Sequence, residues 1–116
     1  MHELAITKEL IRSVLQFAEE ARAQKVVAVH LSIGETYGVV EDLIAKAFHH
    51  FSRNTICEDA RLDILFKPIC VRCNDCGEVY YLKAANLSGM TCPQCGCSNS
   101  QILSGDEFCI DNLEIV

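Results

Sequence analysis

Two sets of residues in this chain of 116 have the types and the spacing to hold metal ions. The first is Cys73-x-x-Cys76, followed after fifteen intervening residues by Cys92-x-x-Cys95. In each pair one tight turn can aim two sulfurs at a single ion. Gly77 and Gly96 stand directly after the second cysteine of each pair, where such a knuckle needs φ > 0. Four thiolates from two knuckles give a tetrahedral S4 shell, the usual shell of structural zinc. The second set is Met1-His2-Glu3. A free α-amino group beside a histidine is a chelate, because amine, backbone amide and imidazole nitrogens close adjoining rings on one ion. A roughly planar nitrogen set of that kind suits Ni(II) or Cu(II).

Two ambiguities attach to the cysteines. Cys70-x-x-Cys73 is also a Cys-x-x-Cys, but only the Cys73/Cys76 choice puts glycine directly after the second cysteine. Cys70 then remains a spare or exchangeable ligand, and Cys97 a nearby free thiol. Cys57 and Cys109 read as small core or near-surface residues. Four thiolates also do not settle the metal. Cys-x-x-Cys-Gly with Cys-Pro-x-Cys-Gly resembles rubredoxin, an iron protein. Rubredoxins space their knuckles more widely and pack aromatics around the iron, whereas this chain has no Trp and its cysteine segment carries only Tyr80 and Tyr81. Zinc is the expected metal.

The elements that must position these residues follow from periodicity. Residues 4–23 predict an amphipathic helix with Leu10, Ile11, Val14, Leu15, Ala18 and Ala21 on one side. Residues 26–33 switch to period two, with Val27, Val29, Leu31 and Ile33 on one face and Ala28, His30 and Ser32 on the other. A second helix is expected over 41–52, burying Leu43, Ile44, Ala47, Phe48 and Phe51, and a strand over 61–67 that Pro68 ends. Residues 69–100 hold six of the eight cysteines and few large aliphatics. So short a segment cannot order itself by apolar burial alone, and a bound metal would supply the deficit. After residue 100 the chain reads as strand, turns at 104–107, and changes parity near Asp111-Asn112. The expected fold is α+β: a small three-stranded sheet with two helices, made of 1–68 together with 101–116, plus an inserted zinc-ribbon-like module over 69–100.

Composition narrows the function. Net charge is −6, a poor match to the clustered Lys and Arg that phosphate binding needs, so no nucleic-acid partner is expected. No apolar run is long enough to span a membrane, and Glu3, Lys8, Glu9 and Arg12 interrupt any signal-peptide pattern. A cytoplasmic protein is expected, in which cysteines serve metals rather than disulfides. No nucleophile–base pair and no phosphate-binding glycine loop stands out, so no enzyme is expected. His49 and His50 are adjacent on a helix and diverge by about 100°. They read as a solvated or partner-facing pair, His30 as an exposed sheet residue, and Glu35 as a solvated loop carboxylate.

Taken in order, Met1-His2-Glu3-Leu4, a helix, a strand ending Ile33-Gly34-Glu35, a helix ending Ala47-Phe48 and two cysteine knuckles resemble the HypA/HybF family of hydrogenase nickel-incorporation proteins. The resemblance covers essentially the whole chain. It implies a nickel metallochaperone whose Met1, His2 and Glu3 bind transported Ni2+ and whose Cys73, Cys76, Cys92 and Cys95 bind structural Zn2+. It also implies partners: a nickel-handling GTPase, the hydrogenase large subunit and, in some organisms, urease accessory proteins. Some family members carry an acidic residue near the start of the second helix that approaches the nickel, for which Glu41 and Asp42 are the candidates. Some carry a histidine just after the second knuckle, where this chain has Gly96-Cys97-Ser98-Asn99. The competing readings are a zinc-ribbon protein- or nucleic-acid-interaction module and a rubredoxin-like electron carrier.

Overall fold

The computed structural model describes residues 2–83 and 90–116. Helix α1 (His2–Glu20) begins earlier than its apolar stripe suggests. Leu10, Ile11, Val14 and Ala18 are buried, and the stripe continues toward the N-terminus through two polar residues, Thr7 and Glu3. The helix stops short of residue 23. Arg22 takes the left-handed conformation (φ 56°), and the Ala23 N–H bonds back to the Ala18 carbonyl at 2.9 Å. This is the closing geometry that glycine usually supplies.

Helix α2 (Glu41–Ser52) buries Ile44, Ala47, Phe48 and Ser52. Leu43, expected inward, is 48% exposed. Helix α1 lies against the side that carries residues 44, 47 and 48, which leaves Leu43 at the margin of the helix pair. Val40 is the N-cap of α2 and has no side-chain cap of its own.

Strands β1 (Val26–Gly34), β2 (Arg61–Lys67) and β6 (Phe108–Ile115) form one sheet in the order β2-β1-β6. As the central strand, β1 is buried on both faces. Ala28 is as inaccessible as Val29 and Leu31, so the expected alternation of inside and outside is lost. Strands β3 (Ile69–Cys73), β4 (Val79–Leu82) and β5 (Ser100–Ser104) form a second antiparallel sheet in the order β4-β3-β5. Neither β3 nor β4 stands out in the sequence, because cysteine replaces a large aliphatic at Cys73 and the runs are only five and four residues long. Strand β5 pairs with β3 and not with the first sheet.

The chain divides into two compact units. One comprises Met1–Leu31, Val39–Ile64 and Ile110–Val116, and the other Ser32–Gly38 and Leu65–Cys109. The cysteine unit therefore takes in more chain than 69–100, namely β5, the turn after it and the stretch around the 3-10 turn Glu35–Tyr37. A glycine pair explains the last of these. A Cβ on Gly34 would lie 2.0 Å from the Gly105 carbonyl oxygen, and one on Gly105 2.5 Å from the Ile69 Cα. Only glycine lets these backbones meet. The Gly34 and Thr36 N–H groups donate to the Glu107 and Gly105 carbonyls at 2.6 and 3.0 Å, and the Tyr37 and Phe108 rings meet edge to face at 5.5 Å.

Candidate metal centre

Alternation along β3 turns Ile69, Val71 and Cys73 to one side, where they pack with Tyr80 and Cys92 in a small buried cluster. The chain leaves β3 through the first knuckle. The Gly77 N–H bonds to the Cys73 carbonyl (3.0 Å) and the Cys73 N–H to the Glu78 carbonyl (2.9 Å). The second knuckle repeats the pattern, with Gly96 on Cys92 (2.9 Å) and Cys92 on Cys97 (2.8 Å). Gly77 and Gly96 have φ of 77° and 76°. Asn74 ties the knuckles together: its N–H bonds to the Asn99 carbonyl at 2.8 Å and its amide to the Asn99 side chain at 3.1 Å.

These turns bring the four sulfurs of Cys73, Cys76, Cys92 and Cys95 within 4.8 Å of one another. The Cys73–Cys95 and Cys76–Cys92 separations are 3.6 and 3.5 Å. Thiolates bound tetrahedrally at 2.3 Å from zinc would be about 3.8 Å apart, so the donor set is close to the geometry it needs for such an ion. Its electrostatics point the same way. The Cys76 backbone N–H, foremost among several donors, lowers the Cys73 thiol to about 7. The Cys97 backbone N–H favours the Cys95 thiolate, yet the thiols of Cys73, Cys76 and Cys92, together with desolvation, push Cys95 up to about 12. Four sulfurs this close cannot all ionise unless a cation sits among them. The quartet is a site for a thiophilic metal ion, half buried (Cys73 and Cys92) and half exposed (Cys76 and Cys95).

The other thiols stand apart. Cys70 lies on the opposite side of β3 from Cys73, facing Tyr81 and Ser104 across the sheet. Cys97 packs on the buried cluster, and the Asp75 carboxylate beside it pushes its thiol up. Cys57 is fully buried, which also raises its thiol, and Cys109 is exposed.

At the N-terminus, Met1 lies outside the described residues, and the backbone of His2 opens α1. Glu3 is buried at 5% exposure, and its carboxylate accepts the Val40 N–H at 3.1 Å. In a capping box, the third residue of a helix reaches back to the N-cap N–H. Here a glutamate from another helix does so, 37 residues away in sequence. The Val40 N–H, then Glu3's own backbone N–H, hold this carboxyl at about 2, far below its ordinary value. Nothing in the sequence announces the bond, though the polar pair Glu3 and Thr7 in register with Leu10 and Val14 is a signal that both are buried. Glu41 and Asp42 follow Val40 directly in the first turn of α2. An apolar groove lined by Leu4, Leu43, Ala47 and His50 runs beside Glu3.

Of the remaining histidines, His50 and His30 have ordinary side-chain partners. His49 and His50 are exposed, and Arg53 donates to His50 Nδ1 at 3.0 Å. His30 does not project freely into solvent. Its Nε2 meets Glu114 at 2.6 Å, its Nδ1 lies 3.5 Å from Asp63, and Arg61 bridges both carboxylates. This cross-strand ion cluster pairs residues far apart in sequence, so the chain pattern does not reveal it.

The fold and the quartet define a small α+β metal-binding protein. The profile of one family, described as hydrogenase/urease nickel incorporation metallochaperone HypA, matches residues 1–115, and the chain belongs to that family. It is 36% identical over 115 residues to a hydrogenase maturation factor HypA of Dehalococcoides mccartyi, covering 99% of this chain and 94% of that one. It is 35% identical to a HypA of Aquifex aeolicus, covering 99% and 97%. The solution structure of the Ni metallochaperone HypA from Helicobacter pylori aligns with a TM-score of 0.68 at 30% identity, covering 98% and 97%.

Proposed function

We propose that this chain carries Ni(II) at Met1, His2 and Glu3 and delivers it during maturation of nickel-iron hydrogenase, while Cys73, Cys76, Cys92 and Cys95 hold a structural Zn2+. The family match, which runs through both motifs from residue 1 to residue 115, carries this reading. The Met1 amine and the His2 imidazole are the side groups of the nickel set. Glu3 serves through its backbone, because its carboxylate is committed to Val40. The first four N–H groups of a helix have no intrahelical partner, so neither the His2 nor the Glu3 amide is tied into the ladder of the helix. A helix N-terminus disfavours a bare cation, and deprotonated amides would remove that penalty. Glu41 and Asp42 start the next helix beside this end and are the candidates for a further carboxylate ligand.

Such a carrier holds its cargo at a chain end, where a partner can reach it and ligands can exchange one at a time. The partners are a nickel-handling GTPase and the hydrogenase large subunit, with urease accessory proteins where urease is present, and the setting is the cytoplasm. The chain acts as a carrier and not as a catalyst. Deleting the gene tests the reading in the cell. Hydrogenase from the deletion strain should lack nickel, with partial recovery when nickel is added to the medium. Full nickel content in that enzyme, with no paralogue present, would overturn it.

A further inference from the structure

Glu3 is held at two points. Its carboxylate accepts the Val40 N–H at 3.1 Å, and its backbone carbonyl accepts the Thr7 hydroxyl at 2.5 Å. The Glu3 and Thr7 side chains are both buried. The first residues of a chain ordinarily fray unless something ties them down. Here the residue after His2 is tied to a second helix, because Val40 is the N-cap of α2 and has no side-chain cap of its own. A buried carboxylate is costly unless it is hydrogen-bonded, and an apolar side chain would pack without that cost. Packing alone therefore does not account for an acid at this position. The carboxylate also lies where the first turn of α1 meets the start of α2, and its charge offsets the positive ends of both helix dipoles.

We propose that the bond from the Val40 N–H to the Glu3 carboxylate is a latch that presets the first turn of α1 for Ni(II), which makes Val40 a positioning residue of the nickel site although it supplies no ligand. The proposal rests on the reading that nickel binds at Met1, His2 and Glu3. The donors of that set are consecutive along the chain: the amine, the His2 amide and imidazole, and the Glu3 amide. A frayed terminus must be ordered before they can converge on one ion, and the entropy lost in ordering it weakens binding. Fixing Glu3 beforehand leaves only the two residues before it to be ordered by the metal, so part of that loss is removed. Glu41 and Asp42 follow Val40 directly, so the same bond fixes the start of α2 relative to Glu3. The rival role for the Glu3 carboxylate is direct coordination of the metal, which would not depend on the Val40 N–H.

The test is Ni(II) titration of the full-length, zinc-loaded chain and of variants at both ends of the bond. Val40→Pro deletes the N–H; the residue is extended with φ −90°, near the range of proline, and its side chain is exposed. Val40→Ala removes the side chain and keeps the N–H. Val40→Pro and Glu3→Ala should each weaken Ni(II) binding by about tenfold, the lower end of what a hydrogen bond to a charged group contributes. The double variant should bind no more weakly than either single one, because both remove the same bond. Val40→Ala should bind like the unmodified chain. Glu3→Gln, whose amide oxygen can still accept the N–H, should fall between the unmodified chain and Glu3→Ala. Ala18→Gly, which loosens the buried interior of α1, should lower the urea midpoint and leave Ni(II) affinity unchanged. Zinc content should be the same throughout. Unaltered affinity in Val40→Pro would overturn the proposal, as would additive losses in the double variant. A loss in Ala18→Gly equal to that in Val40→Pro would overturn it by showing that affinity only follows stability. If Val40→Pro does not fold, the Glu3 pair decides: no loss in Glu3→Ala, or equal losses in Glu3→Gln and Glu3→Ala, would overturn it. His2→Ala separates the latch from the nickel reading. Binding lost in His2→Ala and intact in Val40→Pro overturns the latch alone, whereas binding unaltered in His2→Ala overturns both.

Discussion

At the scale of single residues the cysteine quartet and the proposed nickel site at the N-terminus differ in how openly the chain declares them. The cysteine quartet is legible because each knuckle is local, and cysteine, spacing and glycine all fall within five residues. Sequence alone leaves Cys70 in contention, and the strand alternation turns it to the far face. Cys73→Ser should therefore lower bound zinc below one per chain by elemental analysis, while Cys70→Ser should leave it at one. Equal losses from both would mean that Cys70 exchanges into the site. The role of the Glu3 side chain is not legible, because its partner is a backbone group 37 residues away. Its depressed pKa fixes the sign of a pH effect. The folded carboxyl titrates near 2 and its ordinary value is 4.5. Its contribution to stability is thus complete above pH 4.5 and lost as pH falls toward 2. Glu3→Gln should lower the urea midpoint at pH 6, and the gap to the unmodified chain should narrow between pH 4.5 and 2. A constant gap across that range would show that the charge on Glu3 is not what stabilises the fold.

At the scale of elements, apolar period gives α1, α2, β1, β2 and β6 close to their observed bounds, while β3 and β4 escape it. Those two strands are short, and part of their buried face is made of a quartet cysteine and a tyrosine in place of large aliphatics. Strand β5 is recognisable as a strand but not by its partner, since β3, with which it pairs, is itself unread. The glycines divide in the same way. Gly77 and Gly96 are predictable from the knuckle, whereas Gly34 and Gly105 matter because two distant backbones touch. Gly34→Ala should destabilise the chain by about 1–3 kcal/mol or more, the usual cost of overpacking, since the obstructing atoms are main chain and cannot rotate away. Gly77→Ala meets no atom within 4 Å and is strained only by its φ, so about 1–2 kcal/mol is expected. Urea denaturation of the zinc-loaded proteins gives both numbers. A neutral Gly34→Ala would show that the turn after β5 can move aside.

For the whole molecule, the division into two compact units suggests separate dependence on metal. Both helices lie in the unit without the quartet, so chelation of zinc should leave most of the far-ultraviolet helical signal in place. Collapse of that signal would mean that the units fold together. Zinc should leave as pH falls, because protons compete for four thiolates that only the ion keeps deprotonated. No helix among the described residues is long and apolar enough to cross a membrane. The central claim is that nickel rides on the chain's own amine and on His2. It is tested most directly by Ni(II) titration of three zinc-loaded proteins: the authentic chain, His2→Ala, and a version with one residue added before Met1. The added residue leaves every side chain intact and turns the amine into an amide. The account predicts one tight Ni(II) per authentic chain, binding severely weakened in both altered proteins, and the same zinc content in all three. Unchanged Ni(II) affinity in the extended protein and in His2→Ala would contradict it and move the search to Cys70 and Cys97.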